Sequence, residues 1–317
     1  MTAGKQSFIA QYGTACAAVV VFAGFALSAD HFLSVGNLLG IGKQVSPVAI
    51  LGIGFALALT VSELDLSFAN VASFAAVSTG LLVHGGAPPA MAFGVGLAVG
   101  TGCGVANGLI VTLLRVPSLI ATLAMAAIAN GCAFLLTGGV SVVGRWPRGF
   151  TDLGRGTLLG LPALVWWLAG VAVLAVLFLK QTRTGFRMLC TGEAETAARL
   201  AGLPVKRLKL LGLALSGAAA GLAAVLLTAS LSSAAPNMAG DFLLTAIAAV
   251  MLGMTMFEPG LPNIPGTLVG ALTIGMLSNG LVLLGAPYYV QDICLGVIII
   301  ASVAVSASVL TRAAFQV

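Results

Sequence analysis

Charge is what this sequence has least of. Its 317 residues include 14 Lys and Arg and 9 Asp and Glu, 7% in all, against 59% hydrophobic residues. A soluble domain carries about 25% charged residues, so this chain cannot cover itself with a hydrated surface. A free-standing soluble fold is excluded, and an integral membrane protein is expected. Histidine is almost missing. His31 and His84 fall at span ends, too far apart for a helical metal pair. Neither G-x-S-x-G nor H-E-x-x-H occurs, which removes two familiar hydrolytic constellations. The nearest approach to a P-loop is GIGKQ around Lys43, but Asn37 and Gln44 occupy positions that the motif gives to Gly and to Ser or Thr. The chain is therefore not expected to hydrolyse ATP by itself. Five cysteines, Cys16, Cys103, Cys132, Cys190 and Cys294, show no paired spacing and read as free thiols.

What is present is apolar length. A transmembrane helix needs about 20 mostly apolar residues. On that rule spans fall near 12–28, 44–62, 66–84, 89–113, 118–137, 161–179, 208–231, 241–256, 264–284 and 288–309. The expected fold is an all-α polytopic membrane protein of about ten helices, one domain over residues 1–317. The opening MTAGKQ and its apolar run resemble a signal peptide, but an uncleaved first helix suits a chain with so many later spans.

Half of the cations crowd into one stretch. Between residues 180 and 209 lie Lys180, Arg183, Arg187, Arg199, Lys206, Arg207 and Lys209, with apolar spans on both sides. Lys and Arg resist translocation, so this loop marks the cytoplasmic face, and the net charge of +5 reports orientation rather than nucleic acid. With six spans before the loop and four after it, both termini fall inside. Lys5, Arg115 and Arg312 then agree with the bias. Lys43, at the outer opening of the second span, does not, nor do Arg145, Arg148 and Arg155 in an outer loop. Within the cytoplasmic loop, Glu193 to Gly202 reads as one short helix stopped by Gly202 and Pro204. Ala197 and Ala198 give it a flat surface, suited to docking a cytoplasmic partner.

In the fourth span Gly96, Gly100, Gly104 and Gly108 recur every four residues and form a bare stripe for close helix packing. Asn107-Gly-Leu-Ile there is echoed by Asn279-Gly-Leu-Val five spans later, a slight sign of an inverted repeat. Polar groups at membrane depth are functional candidates. Glu63 and Asp65 stand in TVSELDLSF, where Asp65 either caps the third helix or belongs to a break lining a pathway. Asn70, Asn107, Asn130 and Asn279 are amides suited either to hydrogen-bonding hydroxyls or to tying helices together. Asp241 and Asp292 fall at helix starts and read as caps.

Several stretches combine into a resemblance. They are Asp65-Leu66-Ser67, Asn107-Gly108, Val116 to Leu123 (VPSLIATL), Leu136-Thr137-Gly138-Gly139, Thr184-Gly185-Phe186-Arg187, Ala197 to Gly202 (AARLAG), Ile247-Ala248-Ala249-Val250, Gly266-Thr267 and Asn279-Gly280-Leu281. In that order and spacing, from about Asn37 to Ser308, the chain resembles the permease subunits of bacterial ATP-binding-cassette importers for ribose, xylose and related monosaccharides.

The resemblance implies a sugar pathway in the inner membrane, to which Glu63, Asp65, Asn107, Asn130 and Asn279 are assigned. It implies that the 180–209 loop docks a separate ATPase subunit, through Glu193, Glu195, Ala197, Ala198, Arg199, Gly202 and Arg207. ATP and Mg²⁺ then belong to that partner, and this chain binds no cofactor. A periplasmic sugar-binding protein and a second permease copy complete the assembly. Two features depart from the family. Glu63 stands where the family usually has glycine, and Phe257 to Pro262 (FEPGLP) replaces a glycine-rich turn. The competing reading is an ion-coupled secondary transporter using Glu63 or Asp65 as its intramembrane acid.

Overall fold

Helices follow the apolar runs closely, and short breaks fall where proline, glycine or serine interrupts them. The computed structural model describes residues 18–257, 260–287 and 289–301. Lys5, Cys16, Glu258, Pro259, Arg312 and both termini, with the sides expected for them, lie outside the described residues.

The first half of the chain contains α1 (Ala18–Ser28), α2 (Val35–Leu59), α3 (Phe68–His84), α4 (Pro89–Leu113) and α5 (Ser118–Thr137). After α5 come a two-residue strand β1 (Val142–Val143), the short helix α6 (Arg148–Arg155) and a hairpin of β2 (Thr157–Leu158) and β3 (Leu161–Pro162). Then follow α7 (Ala163–Gln181), α8 (Arg183–Glu193), α9 (Glu195–Leu200) and α10 (Val205–Leu231). Strand β4 (Ser233–Ala234), α11 (Phe242–Gly253), α12 (Ile264–Leu283) and α13 (Tyr289–Ala301) close the described chain. Six of these helices are long and apolar enough to cross a membrane, and α1, α3, α11 and α13 are shorter apolar helices. Together these ten apolar helices of the described residues fall one to each expected span. The second span begins at Val35, not at residue 44, because Ser34 caps it by accepting the Asn37 N–H. Lys43 therefore sits inside α2, exposed on its outer half.

α10 is the axis of the fold. It packs against α2, α3 and α4, and the glycine stripe of α4 faces it. A Cβ at Gly100 would lie 2.4 Å from the Gly217 carbonyl oxygen, and one at Gly104 2.4 Å from that of Leu213. The stripe is thus used within the chain, backbone against backbone, as small residues in a membrane allow. A second seam joins α11 to α12, where a Cβ at Gly253 would meet the Gly266 carbonyl carbon at 2.4 Å. Large apolar side chains stay exposed on the outer faces of α5 and α7, including Ile120, Leu135 and Leu174, a surface for lipid.

The two ends are distinguished by what gathers there. The cationic segment α8–α9 packs on the end of α2, while β1 and β4 pair antiparallel at the opposite end, Val142 with Ala234. The 138–160 loop thus lies at the outer end, with its three arginines. Arg155 among them fastens the loop to the helix axis. Its Nε donates to the Ser230 carbonyl oxygen at 2.6 Å, placing a cation at the C-terminal end of α10.

A long helix, a non-helical break and a shorter helix occur twice, the first break free of helix, strand and turn over 63–67 and the second a short strand followed by turns. After α2, residues 60–67 run along the start of α5. After α10, residues 232–241 run back down α3, from Gly80, which packs on Ala234, to Ser73, whose Oγ accepts the Ala239 N–H at 3.0 Å. The first break lies at the end that carries the cationic segment and the second toward the opposite end, as an inverted repeat requires. Asn107 and Asn279 likewise fall toward opposite ends.

Candidate functional site

The inner break is held on every side. Ser62 takes a left-handed backbone (φ 57°) and its Oγ donates to the Gly192 carbonyl oxygen at 2.8 Å. Asp65, 1% exposed, accepts from the Ser67 N–H at 2.9 Å and the Ser67 hydroxyl at 2.6 Å. It holds the residue before α3 by two bonds; the N-cap position itself belongs to Ser67, which makes no side-chain capping bond, so Asp65 shapes the break and does not cap the helix. The Ser67 oxygen accepts from Asn107 Nδ2 at 2.8 Å, which fixes the break to α4. Leu64 N–H donates to Ser118 Oγ and Leu66 N–H to Thr122 Oγ1, while Thr122 Oγ1 donates to the Leu64 carbonyl oxygen at 3.1 Å. These bonds satisfy extended backbone that has no helical partner of its own.

Glu63 is buried, 4% exposed, and is paired. Lys209, in the first turns of α10, reaches Glu63 Oε1 at 2.6 Å and Glu195 Oε2 at 2.7 Å. Glu195 also takes the Arg199 guanidinium, one turn along α9. The Lys209 hydrogen bond holds the Glu195 carboxyl below the usual carboxylate range, against burial that pushes it up, and the Lys209 charge and Arg199 add to the lowering. Removing one partner of a buried ion pair costs about 3–5 kcal/mol, because the other charge stays behind. Lys209 is legible in the sequence only as one more cation of the loop, although an acid buried as deeply as Glu63 demands a cation nearby.

The cytoplasmic segment differs from the single helix expected over residues 193–202. Ala194 breaks it (φ −152°, ψ 81°) into α8 and α9, because Gly192 is pressed on the backbone of Thr60, where an added Cβ would lie 2.3 Å from the carbonyl oxygen. Gly202 does end α9, at φ 78°, with Gly202 N–H bonded to Arg199 O and Leu203 N–H to Ala198 O. The flat surface expected of Ala197 and Ala198 holds for the first alone. Ala198 is 5% exposed and packs inward, whereas Thr196, Ala197, Arg199 and Leu200 face out. Glu193, Gly202 and Arg207 are exposed as well.

A cavity of about 820 Å³ opens between α2, the start of α11, α12 and α13. Its polar lining includes Gln44, Asp241, Thr245, Ser278, Gln291 and Asp292. Asp241 precedes α11 without a side-chain capping bond, so its carboxylate is left to the cavity, and Ser278 Oγ donates to Gln291 Oε1 at 2.5 Å. Glu63, Asp65, Asn107, Asn130 and Asn279 are not among the lining residues. Asn279 instead exchanges two amide hydrogen bonds with Asn37, at 2.9 and 3.0 Å, tying α12 to α2. Asn130 is half-buried on α5. The cavity residues escape sequence reading because Gln44 looks like a span boundary and the two aspartates look like caps.

Comparison with known proteins places this geometry. The family model for the branched-chain amino acid transport system / permease component matches residues 37–303. The ribose import permease protein RbsC of Escherichia coli (strain K12) is 35% identical over 296 residues, 91% of this chain and 91% of that protein. The L-arabinose ABC transporter permease protein AraH of Azospirillum brasilense is 31% identical over 301 residues, 95% of this chain and 88% of that protein. Among solved structures, an inward-facing metal-chelate type ABC transporter superposes with a TM-score of 0.50 at 14% identity, covering 96% of this chain and 99% of that one. The last likeness concerns the fold alone.

Proposed function

The chain belongs to the branched-chain amino acid transport system / permease component family, and on that footing we propose that it forms the membrane pathway of an ATP-binding-cassette importer for a pentose, hexose or related polyol. It is a multi-pass permease component of the bacterial inner membrane. The sugar arrives on a periplasmic binding protein, a second permease copy completes the pathway, and ATP with Mg²⁺ is held and hydrolysed by a separate cytoplasmic subunit.

The observation that carries this reading is the build of α9. One face is fastened to the membrane domain through Ala198 and Glu195, and the other presents Thr196, Ala197, Arg199 and Leu200, the last 85% exposed. An apolar side chain held out from a short, anchored helix is a docking knob for a partner groove.

The cavity supports the substrate class. Amides, hydroxyls and two carboxylates bind sugar hydroxyls, and no Lys, Arg or His is among its described lining residues to receive the carboxylate of an amino acid. In this scheme Asp65 and Asn107 belong to the joint below the route, and Asn279 holds the wall beside it.

The test is reconstitution of the chain with an ATPase and a binding protein in liposomes. ATP-dependent uptake of ribose or arabinose is expected, lowered by Asp241→Asn and by Leu200→Arg, the second together with ATPase co-purification. Uptake driven by an ion gradient without the ATPase establishes the secondary-transporter alternative instead. Preference for leucine over both sugars overturns the substrate class.

A further inference from the structure

Three charged groups from three separate segments meet at the cytoplasmic end of the fold. Glu63 lies in the break after α2, Glu195 opens α9, and Lys209 on α10 bridges them at 2.6 and 2.7 Å. The Glu63 side chain is only 6% exposed and that of Lys209 17%, so their pair is sheltered from water and weakly screened by salt, while Glu195, 36% exposed, joins it from the rim. The same face of the break is gripped twice more, by the Ser62 bond to the Gly192 carbonyl and by Gly192 against Thr60. Beyond Glu63 the break carries the bonds to Ser118 and Thr122 on α5 and, through Ser67, to Asn107 on α4.

We propose that Glu63, Lys209 and Glu195 form the link through which displacement of α9 is passed to the 60–67 break and so to α4 and α5. The inference rests on the assignment of α9 as the ATPase-docking helix. Its physical basis is the cost of separation. Parting Lys209 from Glu63 strands a buried carboxylate, and parting it from Glu195 gives up a charge-assisted contact at 2.7 Å, so the three segments move together. Apolar contact alone lets α9 slide. Lys209 acts as a positioning residue: it touches no substrate, and its effect is to make the docking helix and the membrane break one mechanical unit. Coupling of this kind acts only if the linked element differs between the transporter's two states.

The test uses the full chain with its ATPase partner and a Leu64→Cys reporter in a background without the native cysteines. Leu64 is 37% exposed within the break. Maleimide labelling of the reporter is compared with and without ATP. In the otherwise unaltered chain the labelling rate is expected to change when ATP binds. Lys209→Met strands two acids and can fail to fold, so the informative variant is the neutral triple Glu63→Gln, Lys209→Met, Glu195→Gln. It is expected to keep ATPase co-purification while its ATP-dependent change in labelling falls roughly tenfold. Lys209→Arg retains most of the change. A triple variant with the full ATP response overturns the link and leaves the docking role of α9 standing. Loss of ATPase co-purification in the triple variant reassigns the cluster to docking and equally overturns transmission. An unaltered chain that never retains the ATPase overturns the docking assignment and this inference together.

Discussion

Gly100→Ala adds a single methyl group at the place where α4 and α10 run closest. The added carbon would stand 2.4 Å from the Gly217 oxygen, 2.5 Å from the Gly221 nitrogen and 2.6 Å from the Gly221 Cα. All three are backbone atoms, so no rotamer change relieves the clash. Contact distance for such pairs is about 3.5 Å, and the helices must separate by about 1 Å. A gap of that size forfeits about a quarter to a half of the attraction between the atoms along the seam. Alanine returns about 1 kcal/mol of helix propensity, against an overpacking cost of about 1–3 kcal/mol that is at its upper end where backbone meets backbone. Lipid offers no hydrophobic compensation for a loosened seam, since packing is the main source of helix association in a bilayer. We expect a net loss of about 2 kcal/mol, a factor of roughly 30 in the folded ratio. Gly102, two residues along the same helix, has nothing within 4 Å of its added Cβ and is the control. The assay is the fraction of monodisperse protein after heating in detergent, read by size exclusion. Gly100→Ala should lose its peak well below the unaltered chain, with Gly102→Ala at or above it. Coincident curves for the two variants refute close α4–α10 contact as a source of stability.

Two further expectations concern polar ties. The reciprocal amide pair Asn37–Asn279 is worth about 1 kcal/mol in a membrane setting, so Asn37→Leu and Asn279→Leu should each lower thermal stability, and the double variant should lose less than the two singles added together; strict additivity means that the amides do not act as a pair. The Glu195 carboxyl is held below its ordinary value of about 4.3, so the stability it contributes is complete above that pH and is lost as pH falls through the lowered value. The difference in melting temperature between the unaltered chain and Glu195→Gln should therefore be constant near neutrality and close in acid; a difference that persists unchanged well below the carboxylate range removes the ionised group from the account.

What the sequence discloses depends on whether the signal is local. The glycine stripe of α4 is legible because a four-residue period on a helix is a statement about one face, whatever lies opposite. The six long spans are legible because bilayer thickness demands a length. α11 is harder, since it is a 12-residue helix fed by a run of turns beside α3, and an apolar run does not say where it becomes helical. The start of α2 escapes for a related reason: Lys43 and Gln44 resemble a boundary, yet one polar side on a helix that continues is equally compatible with them. The broken cytoplasmic helix is beyond local reading altogether. Nothing in Ala194 signals a break, which is imposed by the close approach of Gly192 to Thr60.

Glu63 shows how a departure from pattern becomes informative once its partner is known. Alone in the sequence it reads as an intramembrane acid, and that is the feature an ion-coupled transporter would need. In the structure its carboxylate is paired with Lys209 at 2.6 Å, so its charge is taken up by a fixed cation of the same chain. An acid that exchanges its counter-ion in each cycle needs a path to water and a free lone pair, and Glu63 is buried at the foot of the fold against the cytoplasmic helices. Its position suits force better than ion exchange. The carboxylate is placed where the α9 segment meets a membrane break, and the lysine paired with it belongs to the helix against which α2, α3 and α4 pack. That arrangement favours a permease driven from its cytoplasmic face over one driven by an ion moving through it.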